Sequence, residues 1–246
     1  MSNLFAQIIL RENAMENLVN CSTFFKFPST PHLAVSGNKD IRNDKVMSIA
    51  ERDIFLKHTL TVEEKIDGTN IGISFDEEGN IQVQNRGNFV TLPARGQWKL
   101  LSNWLSERMD ILFHYLEDKY ILFGEWCYAK HSIFYTSLPD WFLGFDIFDK
   151  TSCRFFSSSK RDIYIHNMKL FQPIKIAYGV FTFHELKKML QKQSSYASDS
   201  IEGIYLRYDR DEYLEQRAKL VRYNFIQSIQ QHWKKSAITK NLLRYN

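Results

Sequence analysis

The chain has 246 residues, 44% hydrophobic and 24% charged, ordinary proportions for a folded chain long enough to bury a substantial core. Its 32 Lys and Arg stand against 28 Asp and Glu, a net charge of +4, so a polyanionic partner is permitted but must be met by a local patch. Cys21, Cys127 and Cys153, without CxxC or Cys/His spacing, exclude a disulfide framework and structural zinc, and no apolar run suits a secretory signal or the ~18 residues of a membrane helix, so a soluble intracellular, cytoplasmic protein is expected.

In chain order, Lys26-Phe27-Pro28-Ser29-Thr30-Pro31-His32 holds two prolines that impose extended or turn backbone. A polar stretch over residues 36–44 and a short helix over 45–57 follow. At Thr59 the pattern changes to a period of two: Leu60, Val62, Glu64 and Ile66 alternate with Thr59, Thr61, Glu63 and Lys65, as in a strand. Ile71, Ile73 and Phe75 mark a second strand, and Glu78-Gly79-Asn80 a turn into a third at residues 81–84. The first two strands read as a hairpin closed by a sharp glycine turn.

Residues 97–118 predict one amphipathic helix, with Trp98, Leu101, Leu105, Met109, Leu112 and Leu116 as its core stripe. Strands are predicted over 120–127, 141–148 and 171–177, a helix over 183–191, and a polar loop over 193–200. Two last strands lie near 201–207 and 216–222, and a terminal helix carries Phe225, Ile226, Ile229 and Trp233. Mixed strands and helices with short connections predict an α+β fold with antiparallel sheets. Aromatic residues make up 15% of the chain; Trp126, Trp141 and Phe142 are assigned to packing rather than to base stacking.

Lys65-Ile66-Asp67-Gly68-Thr69-Asn70 carries the most chemistry. A lysine at a strand end, before an acid and a glycine turn, can project its amine into a cleft. A nucleophilic amine must be neutral, whereas a free lysine has a pKa near ~10.4. Neighbouring cations are expected to lower it by destabilising the ammonium. The plain alternative is a surface hairpin with a Lys-x-Asp-Gly turn. Five further segments follow in order: Asn85-Arg86-Gly87, Phe123-Gly124-Glu125-Trp126, Phe145-Asp146-Ile147-Phe148-Asp149, Ile201-Glu202-Gly203-Ile204 and Arg217-Ala218-Lys219-Leu220-Val221-Arg222.

Together these segments resemble the covalent nucleotidyltransferases, the polynucleotide ligases and mRNA capping enzymes, over residues 59–225. Asn70, where DNA ligases and capping enzymes usually have arginine, and the stretch from Glu125 to Ile133 are similar to RNA ligases; the Lys26-Phe27-Pro28 segment with His32 also recurs in them. The resemblance implies a nucleotidyltransferase domain of antiparallel sheets flanked by helices, ATP-grasp-like. It implies an ATP- and Mg²⁺-dependent RNA ligase, with Mn²⁺ able to substitute, that carries AMP on Lys65 and joins a 5′-phosphate end to a 3′-hydroxyl in nicked or broken RNA.

The roles it implies are these. Lys65, Arg217 and Lys219 are catalytic, the last two aimed at the phosphates from one strand face. Arg86 contacts a phosphate, Glu125 the ribose hydroxyls, and Phe145 stacks on the adenine, with Gly68 and Asn70 completing the nucleotide site. Glu63 reads the adenine amino group, or Glu64 does if a bulge shifts the register. Asp67, Asp146 and Glu202 hold Mg²⁺. The expected organisation is an N-terminal extension over 1–58, a core over 59–225, and a C-terminal helix and basic tail over 226–246, too short for a separate OB domain. Lys234, Lys235, Lys240 and Arg244 in that tail form a solvated face or touch nucleic acid. The alternatives are a DNA or dual-specificity ligase, or a catalytically silent nucleotide- or RNA-binding module.

Overall fold

The computed structural model describes residues 24–34, 46–222 and 238–245. Cys21, the polar stretch over 36–44, the helix carrying Phe225 and Trp233, and Lys234 and Lys235 lie outside the described residues. Helix α1 (Ile49–Phe55) starts at Ser48, whose hydroxyl and Glu51 form a reciprocal capping box. Strands β1 (Leu60–Lys65), β2 (Thr69–Phe75) and β3 (Ile81–Gln84) follow, then helices α2 (Leu101–Ser106) and α3 (Met109–Leu116). Next come β4 (Tyr120–Trp126), β5 (Phe142–Asp149), β6 (Arg154–Phe155), helix α4 (Ser158–Asn167) and β7 (Lys175–Gly179). Helix α5 (Phe183–Met189) and the hairpin β8 (Gly203–Arg210) and β9 (Tyr213–Val221) complete the core.

The strands form two antiparallel sheets, one ordered β7-β1-β8-β9 and the other β3-β2-β4-β5-β6. This α+β arrangement of antiparallel sheets with flanking helices is the expected one. The expected hairpin at the lysine motif is not: β1 and β2 belong to different sheets, and residues 66–68 carry the chain from one to the other. The reason is burial. Leu60 and Val62 of β1 pack with Leu186, Ile204 and Leu206 in one core, whereas Ile71, Ile73 and Phe75 of β2 join Leu112, Leu122 and Ile147 in another. A hairpin would have put both apolar faces into one layer.

Two further differences have local causes. The long helix over 97–118 is broken at Glu107-Arg108, where Arg108 takes φ −120°. Its guanidinium donates to the Trp104 carbonyl at 3.2 Å and to Asp140 at 3.2 Å and stacks 4.6 Å from the Trp104 ring. The apolar stripe survives the break, with Leu101, Leu105, Leu112 and Leu116 buried. The strand expected over 171–177 runs instead from Lys175 to Gly179, since Pro173 offers no N–H to a ladder.

A third cluster, with Phe27, Ile121, Phe123, Phe148 and Phe155, lies on the opposite face of the five-stranded sheet. It includes the upstream Phe-Pro segment. Residues 31–33 run along the outer edge of β9, where Lys219 N–H donates to the Pro31 carbonyl at 2.9 Å and Leu33 N–H to the Lys219 carbonyl at 2.8 Å. That edge is thereby covered and Phe27 delivered to the cleft between the sheets. Trp126, Trp141 and Phe142 are core residues, as expected.

Candidate active site

Lys65 stands at the last position of β1, where the chain leaves its sheet. Its Nζ is 2.7 Å from the Glu202 carboxylate, and the two side chains are 25% and 5% exposed. Glu202 reaches it because β8 pairs with β1 in a register that sets Gly203 opposite Lys65. Gly203 has a steric reason: a Cβ there would lie 2.4 Å from the Leu220 carbonyl oxygen of β9. Gly68 likewise serves close approach. Its φ is not positive, but a Cβ would lie 2.7 Å from the Trp126 carbonyl oxygen. Its N–H donates at 3.1 Å to Glu125, which holds the crossover against β4.

A cleft with about 600 Å³ of empty space, open solvent included, lies over Lys65. Of the residues assigned to nucleotide binding, it brings together Glu63, Glu64, Lys65, Asn70, Arg86, Glu125, Phe145 and Lys219. Arg86 is set by its turn: Asn85 Oδ1 accepts from the N–H groups of Gly87 and Asn88 at 2.8 and 2.9 Å, an Asx turn at the end of β3. Phe145 is turned into the cleft by a bulge. Phe123 pairs with Asp146 and Gly124 with Gly144, so Phe145 is the extra residue on β5. Lys219, opposite Tyr205 on β9, reaches the cleft from the other side. Phe27, Thr30, Pro173 and Tyr205 also line it and were not assigned; only the Phe-Pro segment signalled any of them.

Two assignments meet a different arrangement. Asp146 does not join the other acids. It is fully buried, paired with Arg207 and, at 2.8 Å, with Arg217, so guanidinium groups occupy both oxygens. The bulge explains this, because it turns the Phe145 ring to the cleft and leaves the next side chain beneath the cleft floor. Arg217 shares a strand face with Lys219 as expected, but its guanidinium is held by Asp146 and lies 4.7 and 4.2 Å from the rings of Phe27 and Phe155. It does not line the cleft.

Glu63 and Glu64 are both engaged. The bulge next to them falls on β7, so β1 keeps its parity. Glu63 forms a buried pair with Arg161, one contact at 3.1 Å. Arg161 also donates to the Phe145 carbonyl at 2.8 Å and Arg207 to the same oxygen at 3.3 Å. Glu64 accepts from the Ser194 hydroxyl at 2.5 Å and the Ser195 N–H at 3.1 Å. Arg161 and Arg207 had no sequence signal, yet they brace the carbonyl of the residue that shapes the cleft wall.

The electrostatics of Lys65 reverse the expectation of surrounding cations. Burial would push its pKa down, but Glu202, Glu125 and Asp67 outweigh burial and hold the ammonium above its ordinary value. The acids answer in kind. Burial, with a smaller contribution from Asp67, raises Glu125 to about 7 against the pull of Lys65 and Arg86. Burial and Asp67 likewise raise Glu202 to about 7 against Lys65. Asp67 itself accepts from the N–H groups of Ser132 and Ile133 at 2.7 and 3.0 Å, and its own N–H donates to the Tyr135 hydroxyl at 2.8 Å.

The family model for RNA ligase matches residues 58–221, about two thirds of the chain. No curated protein sequence matches it. Among solved structures the chain is similar to the Naegleria gruberi RNA ligase. A lysine-to-alanine variant of that enzyme with ATP and Mn matches at TM-score 0.60 and 13% identity, over 83% of this chain and 58% of that one. An aspartate-to-alanine variant without ligand matches at TM-score 0.60 and 12% identity, over 85% and 58%. The form with PPi matches at TM-score 0.56 and 14% identity, over 85% and 65%. The chain thus spans about three fifths of the length of the first of these, and at such identities the likeness is one of fold. The span matched by the family model takes in the first five motif segments and residues 217–221 of the sixth, and the chain belongs to the RNA ligase family.

Proposed function

We propose that the chain is an ATP-dependent RNA ligase that carries AMP on Lys65 and joins 5′-phosphate to 3′-hydroxyl RNA ends. The observation that carries this reading is the placement of Lys65 in the wall of a cleft that Arg86 and Lys219 also line, with Glu202 at 2.7 Å from its Nζ.

In the first step the neutral Lys65 amine attacks the α-phosphorus of ATP. A P–N bond forms, the P–O bond to the β-phosphate breaks, and pyrophosphate leaves. Glu202, hydrogen-bonded to Nζ, orients the amine, and the proton that Lys65 must lose passes to solvent. Lys219 and Arg86 meet phosphate oxygens, where charge-assisted contacts are strongest. Phe145 packs on the adenine, and Glu125 meets the ribose. The AMP then passes to a 5′-phosphate oxygen, breaking the P–N bond, and a 3′-hydroxyl displaces AMP to form the phosphodiester. Arg217 is a brace for the Phe27 and Phe155 rings rather than a phosphate contact.

The acid set fits a divalent ion. Asp67 adds to burial in raising both Glu125 and Glu202, and Glu125 adds to it at Glu202, so negative charge gathers beside Lys65. Among the described residues no group of three or more acids, histidines or cysteines is arranged as a metal cage. Mg²⁺ takes one or two carboxylates and completes its shell with water and substrate phosphates. Glu202 and Asp67 would hold it, and it would offset charge on the phosphates and lower the pKa of Lys65. The similar Naegleria ligase was solved with ATP and Mn, which supports ATP and a divalent ion here. Incubation with ATP and Mg²⁺ should raise the intact mass by one AMP; an unchanged mass, with ATP still bound, would favour a silent nucleotide-binding module.

A further inference from the structure

The stretch over residues 238–245 lies against the loop between β4 and β5, and one buried side chain organises the contact. Asn241 is fully buried. Its Nδ2 donates to the carbonyls of Cys127 at 2.8 Å and Ala129 at 3.2 Å, and its Oδ1 accepts from Tyr135 N–H at 2.9 Å. Its own N–H donates to the Tyr128 carbonyl at 2.9 Å. Buried loop backbone without a ladder must find partners elsewhere. A carboxamide supplies two donors and an acceptor in one plane, which neither aspartate nor leucine offers.

The loop that Asn241 ties together is the one that grips the crossover. The Tyr135 hydroxyl accepts from Asp67 N–H at 2.8 Å, and the N–H groups of Ser132 and Ile133 hold the Asp67 carboxylate at 2.7 and 3.0 Å. A continuous path of buried hydrogen bonds therefore runs from Asn241 through Tyr135 to Asp67, two residues from Lys65. The flanking backbone reinforces it, with Lys130 N–H donating to the Thr239 carbonyl at 2.7 Å and Leu242 N–H to the Tyr135 carbonyl at 2.9 Å.

We infer that Asn241 is a positioning residue for the Lys65 amine, acting through Tyr135 and the 127–135 loop on Asp67. This rests on the reading of Lys65 as the AMP acceptor. Asn241 does not line the nucleotide cleft, so its loss should slow the covalent step and leave ATP affinity alone. A displacement of ~1 Å at a reacting group costs about 10²-fold in rate.

The test measures single-turnover lysyl-AMP formation from α-labelled ATP by full-length wild type, Asn241→Ala and Tyr135→Phe, with ATP Kd measured alongside. Folding is checked by near-UV circular dichroism at the assay temperature. Tyr135→Phe deletes only the hydroxyl that meets Asp67 N–H. On the scale of that displacement, Asn241→Ala is expected to slow labelling ~10–100-fold and Tyr135→Phe about 10-fold, each with ATP Kd within about twofold of wild type. If wild type is unlabelled, the ligase reading itself fails. If wild type is labelled and either variant labels at the wild-type rate, the positioning role fails while the ligase reading stands. A slower rate matched by weaker ATP binding or by the unfolded fraction also overturns it.

Discussion

Replacing Gly68 with alanine tests how closely the lysine crossover must approach β4. The added Cβ would meet the Trp126 carbonyl oxygen at 2.7 Å, Glu125 Cγ at 3.0 Å and Cys127 Sγ at 3.3 Å. Carbon-to-carbonyl contacts settle at roughly 3.3–3.6 Å, so the crossover or the strand must move by about 0.6 Å or more. The nearest atom is backbone in the middle of the five-stranded sheet, so the crossover should yield. Overpacking of this kind costs about 1–3 kcal/mol, and at ~2–4 °C per kcal/mol for a chain of this size Tm should fall by roughly 2–12 °C. Because φ at Gly68 is ordinary, none of that is backbone strain. The larger effect is on chemistry. The Gly68 N–H contact to Glu125 lengthens and Lys65, three residues upstream, is displaced, so lysyl-AMP formation should fall about 10²-fold. Rapid-quench labelling with α-labelled ATP, together with calorimetry, reads both quantities. A folded Gly68→Ala protein that labels within twofold of wild type would refute the close-approach argument.

Other expectations follow from the same geometry. Lys219→Ala should lower lysyl-AMP formation by ~10²-fold or more with little change in Tm, because its charge acts on the departing phosphates; normal labelling would remove it from the phosphate site. Arg161→Met should destabilise the fold by about 3–5 kcal/mol by leaving Glu63 buried without its partner, and adding Glu63→Gln should restore much of that in urea denaturation. Glu125 is raised from 4.5 to about 7, so its contribution to stability is present below pH 4.5 and lost as pH rises through about 7. Glu125→Gln should therefore gain on wild type between pH 5 and pH 8, by ~1–2 kcal/mol once its partial exposure is allowed for; an equal Tm difference at both pH values would contradict this. Among nicks built with RNA or DNA on each side, those with ribose on the 3′-hydroxyl strand should seal best, whereas equal sealing of an all-DNA nick would point to a DNA ligase.

Much of the site was legible because its chemistry is local. A lysine, an acid and a glycine within four residues, followed by Arg86, Glu125 and Glu202, mark positions that one strand end, one turn, one strand and the residue before β8 bring together. The fold class was legible from strand periods, and α1 and α5 fall within the helices expected over 45–57 and 183–191. What escaped depended on pairing across the chain. Parity on β9 put Arg217 beside Lys219 but said nothing of Asp146, whose side chain the β5 bulge sends beneath the cleft. The hairpin expected at the lysine motif failed because a glycine turn looks the same whether its strands share a sheet or part company. Helix α4 escaped because its buried face is Ser158, Arg161 and Ile165, with a single apolar position to reveal the period. The expected cations around Lys65 are acids instead, so the resting amine is held as an ammonium and waits on its ligands for activation.

Labelling at Lys65 tests its role as AMP acceptor directly. Wild-type protein and Lys65→Ala are incubated with α-labelled ATP and Mg²⁺, digested, and the label located by peptide mass. One AMP per chain is expected, on the peptide containing Lys65, and none on the variant. Label retained by Lys65→Ala, or found on any other residue, would contradict it.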